Sequence, residues 1–343
     1  MWIRDVEVKG IARLAPMAAV SNAPFRMVAQ ECGSGLTTTE EIDAISLVRK
    51  SPVALEIMKY YPVERPLAMQ LLGADVSLLV QAAEIVQEAG ADIVDLNMGC
   101  PMPKITKQGK GAALMRDTCA TAALLRELRR VVKVPLTVKI RGGWDDEHLN
   151  AVEVARMAEG EGVDAIVVHP RTRSQRFAGT APWDVIREVV EAVRIPVTGN
   201  GDVTSMADAR AMIAATGCAN VMVGRGTFGR PWLFDEAYDS LAPAEQWRYQ
   251  ERVIRRHIAL IQEHFGGGNR YAMNQVRKHL SWYTGSGLPG SNAARAVIHN
   301  AKCEEEALEA FWAWREQVAR TASEPIRPSA SLPEADEARL PRS

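Results

Sequence analysis

The sequence predicts an α/β chain built as a (β/α)8 TIM barrel with a small C-terminal helical domain. Eight short apolar runs, rich in β-branched residues, recur along the first two thirds of the chain. Amphipathic segments fill the gaps between them, and nearly every run ends in a polar residue or a glycine. A doubly wound sheet is the alternative, but it usually has fewer strands and gives no reason to reuse every strand end.

In chain order the runs are 11–16, 36–40, 66–71, 92–97, 135–140, 164–169, 195–200 and 219–224. Their near-continuous apolar character suits parallel strands covered on both faces. Helical patterns occupy 75–89, 118–132, 148–161, 182–193 and 205–215, the first with Asp75 as N-cap and Gly90 as its stop. After about residue 241 the character changes. Helical patterns run over 246–265 and 271–283, separated by Gly266-Gly267-Gly268, and a third covers 293–320. No strand-like run occurs there. Residues 1–241 therefore read as the barrel, 242–322 as a helical domain, and 323–343, rich in Pro, Ser and charge, as a disordered tail.

The 343 residues can bury a large core, and 47% hydrophobic with 24% charged content is ordinary for a globular protein. A net charge of −1 gives no global basic field for nucleic acid but leaves room for a local basic patch. Five scattered cysteines without a CxxC pair point to neither a metal site nor a disulfide framework, and suit a reducing cytoplasm. The start, Met1-Trp2-Ile3-Arg4-Asp5, lacks the apolar region of a signal peptide, and no run is long enough to span a bilayer. A soluble cytoplasmic protein is expected.

Chemistry in such barrels collects at the carboxyl ends of the strands. Those ends carry Pro16-Met17-Ala18, Glu40, Gln70, Asn97 with Cys100, Lys139 with Arg141, and His169 with Arg171. The last two are the glycine turns Gly199-Asn200-Gly201-Asp202 and Gly224-Arg225-Gly226. These turns predict a phosphate cradle, where backbone N–H groups approach an anion and Arg225 adds charge. Gly224 to Gly229 also fits GxGxxG, but that fingerprint belongs at the first strand of a βαβ unit, and here it follows the last. Lys139 is either a snorkelling strand end or a cation beside an electron-rich cofactor ring; a reduced flavin carries such charge near N1 and O2. His169 could act beside it as a donor. Cys100 lies on the Gly/Pro-punctuated loop after the fourth run, able to serve as a thiolate nucleophile or as a thiol acid. No histidine is close in sequence to activate it. Residues 104–111, basic and glycine-bearing, read as a mobile lid, and Cys32, Cys119, Cys218 and Cys303 as packing residues.

In the helical domain Arg248, Arg252, Arg255, Arg256, Arg270, Arg277, Lys278, Arg295 and Lys302 greatly outnumber the acids before Glu304, with Trp282 and Tyr283 among them. That pattern can grip backbone phosphates and stack on bases. It also fits a solvated face over core aromatics, which composition alone slightly favours.

These segments together resemble the tRNA-dihydrouridine synthases, flavoenzymes of the FMN-binding barrel class. The resemblance is carried by Ala15-Pro16-Met17-Ala18, Met69-Gln70-Leu71, Val138-Lys139-Ile140-Arg141 and His169-Pro170-Arg171-Thr172-Arg173. It extends to both glycine turns and to Arg277 through Tyr283. Leu96-Asn97-Met98-Gly99-Cys100-Pro101, continued by Met102-Pro103-Lys104, is most similar to the bacterial B-type subgroup. The resemblance implies that Pro16, Met17, Ala18 and Gln70 line FMN, that Lys139 and His169 contact its ring, and that Asn200, Gly201, Asp202, Gly224 and Arg225 hold its phosphate end. It implies Asn97 at the target uracil, Cys100 as the proton donor, NADPH as reductant, and a D-loop uridine of tRNA as substrate. Arg141, Arg171, Arg277 and Lys278 are further expected substrate contacts. No metal, membrane or protein partner is expected, and the protein is expected to be a monomer. Two departures stand out: Pro170 where a glycine is usual, and Thr284-Gly285-Ser286-Gly287 where a lysine-glycine turn is usual. An FMN-barrel reductase of a small molecule, similar to dihydroorotate dehydrogenase, and a non-catalytic RNA-binding module are the competing readings.

Overall fold

A computed structural model describes residues 1–285 and 288–321. The expected tail over 323–343, and Ser286 and Gly287 of the departing turn, lie outside the described residues. The described residues divide into two compact units: Met1–Gly224 with Phe234–Glu236, and Arg225–Leu233 with the described residues from Ala237 onward.

In the first unit an antiparallel hairpin, β1 (Trp2–Ile3) and β2 (Val6–Glu7), precedes the barrel. The barrel elements follow as β3 (Ala12–Leu14), α1 (Ala23–Glu31), β4 (Thr37–Thr38), β5 (Ile42–Asp43), α2 (Ala44–Val48) and α3 (Pro52–Ile57). Next come β6 (Leu67–Leu72), α4 (Val76–Glu88), β7 (Ile93–Met98), α5 (Pro103–Thr106), α6 (Thr118–Val131), β8 (Leu136–Arg141) and α7 (Ala151–Gly160). The unit continues with β9 (Ala165–His169), α8 (Asp184–Ala192), β10 (Val197–Asn200), α9 (Met206–Thr216) and β11 (Asn220–Val223). The strands pair in the order β3-β11-β10-β9-β8-β7-β6-β4, every pairing parallel, with β5 also on β6. The Leu14 N–H donates to the Leu36 carbonyl at 3.3 Å, tying the two ends of that order together. The eight-strand α/β barrel expected from the sequence is therefore present, with each expected run holding its strand.

Local chemistry sets the element ends. The Asp75 carboxylate accepts from the Leu78 N–H and caps α4, and Ser205 caps α9 through the Asp208 N–H. Arg26 and Glu64, both fully buried, pair at 2.5 Å, and Thr37 adds a hydrogen bond to the same carboxylate, fixing α1 against the loop before β6. A polar layer crosses the barrel interior: Arg13 donates to Thr198 at 2.9 Å, and Asp95 accepts from Gln70 and Thr137. Burial drives the Asp95 carboxyl up and the Arg13 guanidinium down to about 10.

The second unit is helical: α10 (Pro243–Phe265), α11 (Arg270–Tyr283), α12 (Ser291–Asn300) and α13 (Glu304–Thr321). The single helix expected over 293–320 is two helices, broken at 301–303. Glu304, Glu305 and Glu306 open the second of them, where the helix dipole favours acids. Phe228 stacks on Trp282 with ring centroids 4.4 Å apart. Beside that stack a Cβ on Gly229 would fall 2.2 Å from the Trp282 carbonyl oxygen, so the close approach requires glycine. Among the described residues no helix is long and apolar enough to cross a membrane.

Candidate active site

β7 is buried along its whole length, and its last residues deliver the site. Asn97, 7% exposed, turns its amide onto the loop that follows. Its Oδ1 accepts from the Gly99 N–H at 3.1 Å and from the Cys100 N–H at 2.9 Å. Its Nδ2 donates to Gln70 Oε1 at 2.8 Å and to Glu41 Oε2 at 3.2 Å. Gln70, fully buried, passes the connection on to Asp95 at 2.7 Å. The Cys100 thiol, half-buried, donates to Glu41 Oε1 at 3.9 Å. A hydrogen-bonded chain thus links Asp95, Gln70, Asn97, Glu41 and Cys100.

Neighbouring strands bring cations to the same end. Strand register sets Asn97 beside Lys139 and Arg141 beside His169. Lys139 Nζ donates to Asn200 Oδ1 at 3.2 Å. Burial first, and Arg141 second, pull its ammonium from 10.5 to about 7, with Asp95 and Cys100 acting the other way. Arg141 Nε donates to the Gly99 carbonyl at 2.7 Å, and its Nη1 reaches the Thr172 and Arg176 carbonyls. Arg171 forms an ion pair with Asp202 at 2.7 Å, and that carboxylate also accepts from the Ala181 N–H. These contacts hold the end of β8 and the loops after β7, β9 and β10 together. Asn200 Nδ2 donates to the Met222 carbonyl at 2.8 Å, and buried His169 lies near Phe177.

The remaining expected residues of the first unit frame this mouth. Pro16, Met17 and Ala18 form a partly exposed wall after β3, braced by Ser21 on the Met17 N–H at 2.9 Å and by Glu40 on the Ala19 N–H. Ala19 adopts φ +59, a left-handed turn that the Glu40 contact holds. A Cβ on Gly224 would come within 3.5 Å of Met17 Sδ, so the last glycine turn reaches the same wall. Gly201, at φ +131, leaves no room for a Cβ, which would fall 2.9 Å from that of Ala181. Arg225 follows Gly224 in the short turn Arg225–Thr227 of the second unit.

The expected lid over 104–111 is anchored at its far end. Lys110 pairs with Asp43 at 2.5 Å, and the Ala112 N–H donates to the Cys100 carbonyl at 3.1 Å. Of the cysteines expected to pack, Cys32 and Cys218 are buried, whereas Cys119 and Cys303 are exposed. Sequence reasoning missed Glu41; its only signal was its place beside Glu40, at the end of the second run.

In the second unit Arg277 and Lys278 are half-buried on α11, and Lys278 Nζ lies 5.6 Å from the Trp282 ring centre. Arg252, Arg255 and Arg315 lie over Tyr249, Trp312 and Trp247.

A family model described as dihydrouridine synthase (Dus) matches residues 13–322. A probable tRNA-dihydrouridine synthase from Rickettsia prowazekii is 36% identical over 308 residues, covering 88% of this chain and 93% of that protein. The tRNA-dihydrouridine synthase B of Pseudomonas putida is 36% identical over 317 residues, covering 90% and 93%. A probable tRNA-dihydrouridine synthase from Mycobacterium leprae is 37% identical over 329 residues, covering 85% of each.

Proposed function

This chain belongs to the dihydrouridine synthase family, and we propose that it reduces a D-loop uridine of tRNA to 5,6-dihydrouridine with NADPH and bound FMN. The observation that carries the reading is the Cys100 thiol, held past the end of β7 by Asn97 and set among Lys139 and Arg141.

The mouth suits a flavin because Lys139, drawn down to about 7 beside the neutral amide of Asn200, would regain its charge against an anionic ring edge. Pro16, Met17 and Ala18 would lie along the ring with His169, and Gln70 would support the floor beneath Asn97. Asn200, Gly201, Asp202, Gly224 and Arg225 would hold the phosphate end. Bound FMN would supply hydride from N5 to C6 of the uracil. That leaves an enolate-like charge on the pyrimidine, and Cys100 would place its proton on C5. Asn97 would meet the base by exchanging its 3.2 Å contact with Glu41 for one to uracil. The base lies inside folded tRNA and must be flipped into the mouth. Residues 242–322, with Arg277 and Lys278, would grip the tRNA backbone, while Arg141 and Arg171 would shape the loops the base enters.

Mass spectrometry of unmodified tRNA incubated with the protein, FMN and NADPH tests this. A gain of two hydrogens on one D-loop uridine is expected. Turnover of a free pyrimidine with no change in tRNA would favour a small-molecule reductase instead.

A further inference from the structure

A general acid must carry its proton when the substrate arrives, and the surroundings of Cys100 work against that. Lys139 interacts electrostatically with the thiol, and Arg141 lies against the same loop through the Gly99 carbonyl. Arg141, joined by Lys139 while that ammonium is protonated, favours a thiolate, which cannot protonate carbon. Lys110, on the segment whose Ala112 N–H meets the Cys100 carbonyl, is already paired with Asp43, and Asp95 lies deeper, joined to Gln70 and Thr137. Glu41 stands at the thiol itself. Its Oε1 accepts from Sγ at 3.9 Å while its Oε2 accepts from Asn97, the residue that holds the Cys100 loop. A carboxylate so placed stabilises S–H and repels S⁻.

We propose that Glu41 is a positioning residue that keeps the Cys100 thiol in its proton-bearing form against Lys139 and Arg141. This rests on the reading of Cys100 as proton donor. In the step concerned the S–H bond breaks, C5–H forms, and the electron pair stays on sulfur. Water then returns a proton to the thiolate, whose affinity for it Glu41 raises.

The test is Glu41→Gln in the FMN-loaded full chain, with Cys119→Ser and Cys303→Ser in all samples to remove the exposed thiols. Iodoacetamide labelling of the Cys100 peptide against pH, without tRNA, reads the thiol directly. The labelling midpoint should fall by about one pH unit, with about tenfold faster labelling at neutral pH. Glu41→Asp, which keeps the charge, should restore most of the shift. The alkaline limb of single-turnover tRNA reduction should move down with the labelling midpoint. A midpoint that stays or rises in Glu41→Gln overturns the proposal, as does a shifted midpoint with an unmoved alkaline limb. Normal tRNA reduction by Cys100→Ala would instead defeat the proton-donor reading, and it leaves the labelling shift to be scored separately.

Discussion

Lys139→Met removes a cation from the barrel mouth while keeping most of its volume. With no flavin beside it the ammonium titrates at about 7, because burial outweighs the pull of Asp95 and Cys100. At pH 8 it is therefore mostly neutral, and recharging it costs about 1.4 kcal/mol. An anionic flavin edge would return about 4 kcal/mol, for a contact of about 4 Å at an effective dielectric constant of about 20. The net gain, about 2.5 kcal/mol, corresponds to roughly 55 mV for a two-electron couple. The variant should thus lower the flavin midpoint potential by roughly 55 mV at pH 8. The deficit should grow to roughly 85 mV at pH 6, where Lys139 is already charged and no recharging cost is subtracted. Spectroelectrochemical titration of the FMN-loaded protein at both pH values measures this. An unchanged potential at both would refute the reasoning and leave Lys139 a snorkelling strand end.

Two further outcomes concern the helical unit. Burial holds His257 at about 3 and His279 well below 6.5, whereas both would take up protons near 6.5 once unfolded. Their contribution to stability is full above that value and is lost as the pH falls, with His257 alone removing about 2 kcal/mol between pH 7 and pH 5. Urea unfolding followed by helical circular dichroism should show the loss, and an equal midpoint at both pH values would contradict it. Replacing Arg277 and Lys278 together by alanine should weaken tRNA binding and reduce its salt slope by about 2, leaving NADPH oxidation without tRNA intact. Equal affinity and slope would assign these residues to packing on α11.

The barrel was legible in the sequence because its strands are buried on both faces, so each is a compact apolar block with a polar end. β6, β7 and β8 lie within a residue of the expected runs. The hairpin of β1 and β2, with two residues to a strand, is too short for periodicity to register. The loop after β4 hides β5, α2 and α3, and with them Glu41, whose role depends on a contact 59 residues away in the chain. Gln70 and Asn97 were visible as polar strand ends. Their bracing of the Cys100 loop follows from register across β6 and β7, which a single sequence does not display.

The central claim is that Cys100 delivers the proton, and the most direct measurement is dihydrouridine formation by Cys100→Ala on unmodified tRNA. The variant should bind FMN and oxidise NADPH normally, since neither step needs an acid for C5. Its conversion of uridine should fall by about 10²–10⁴-fold, the usual worth of a general acid. Conversion close to that of the unaltered protein would contradict the account.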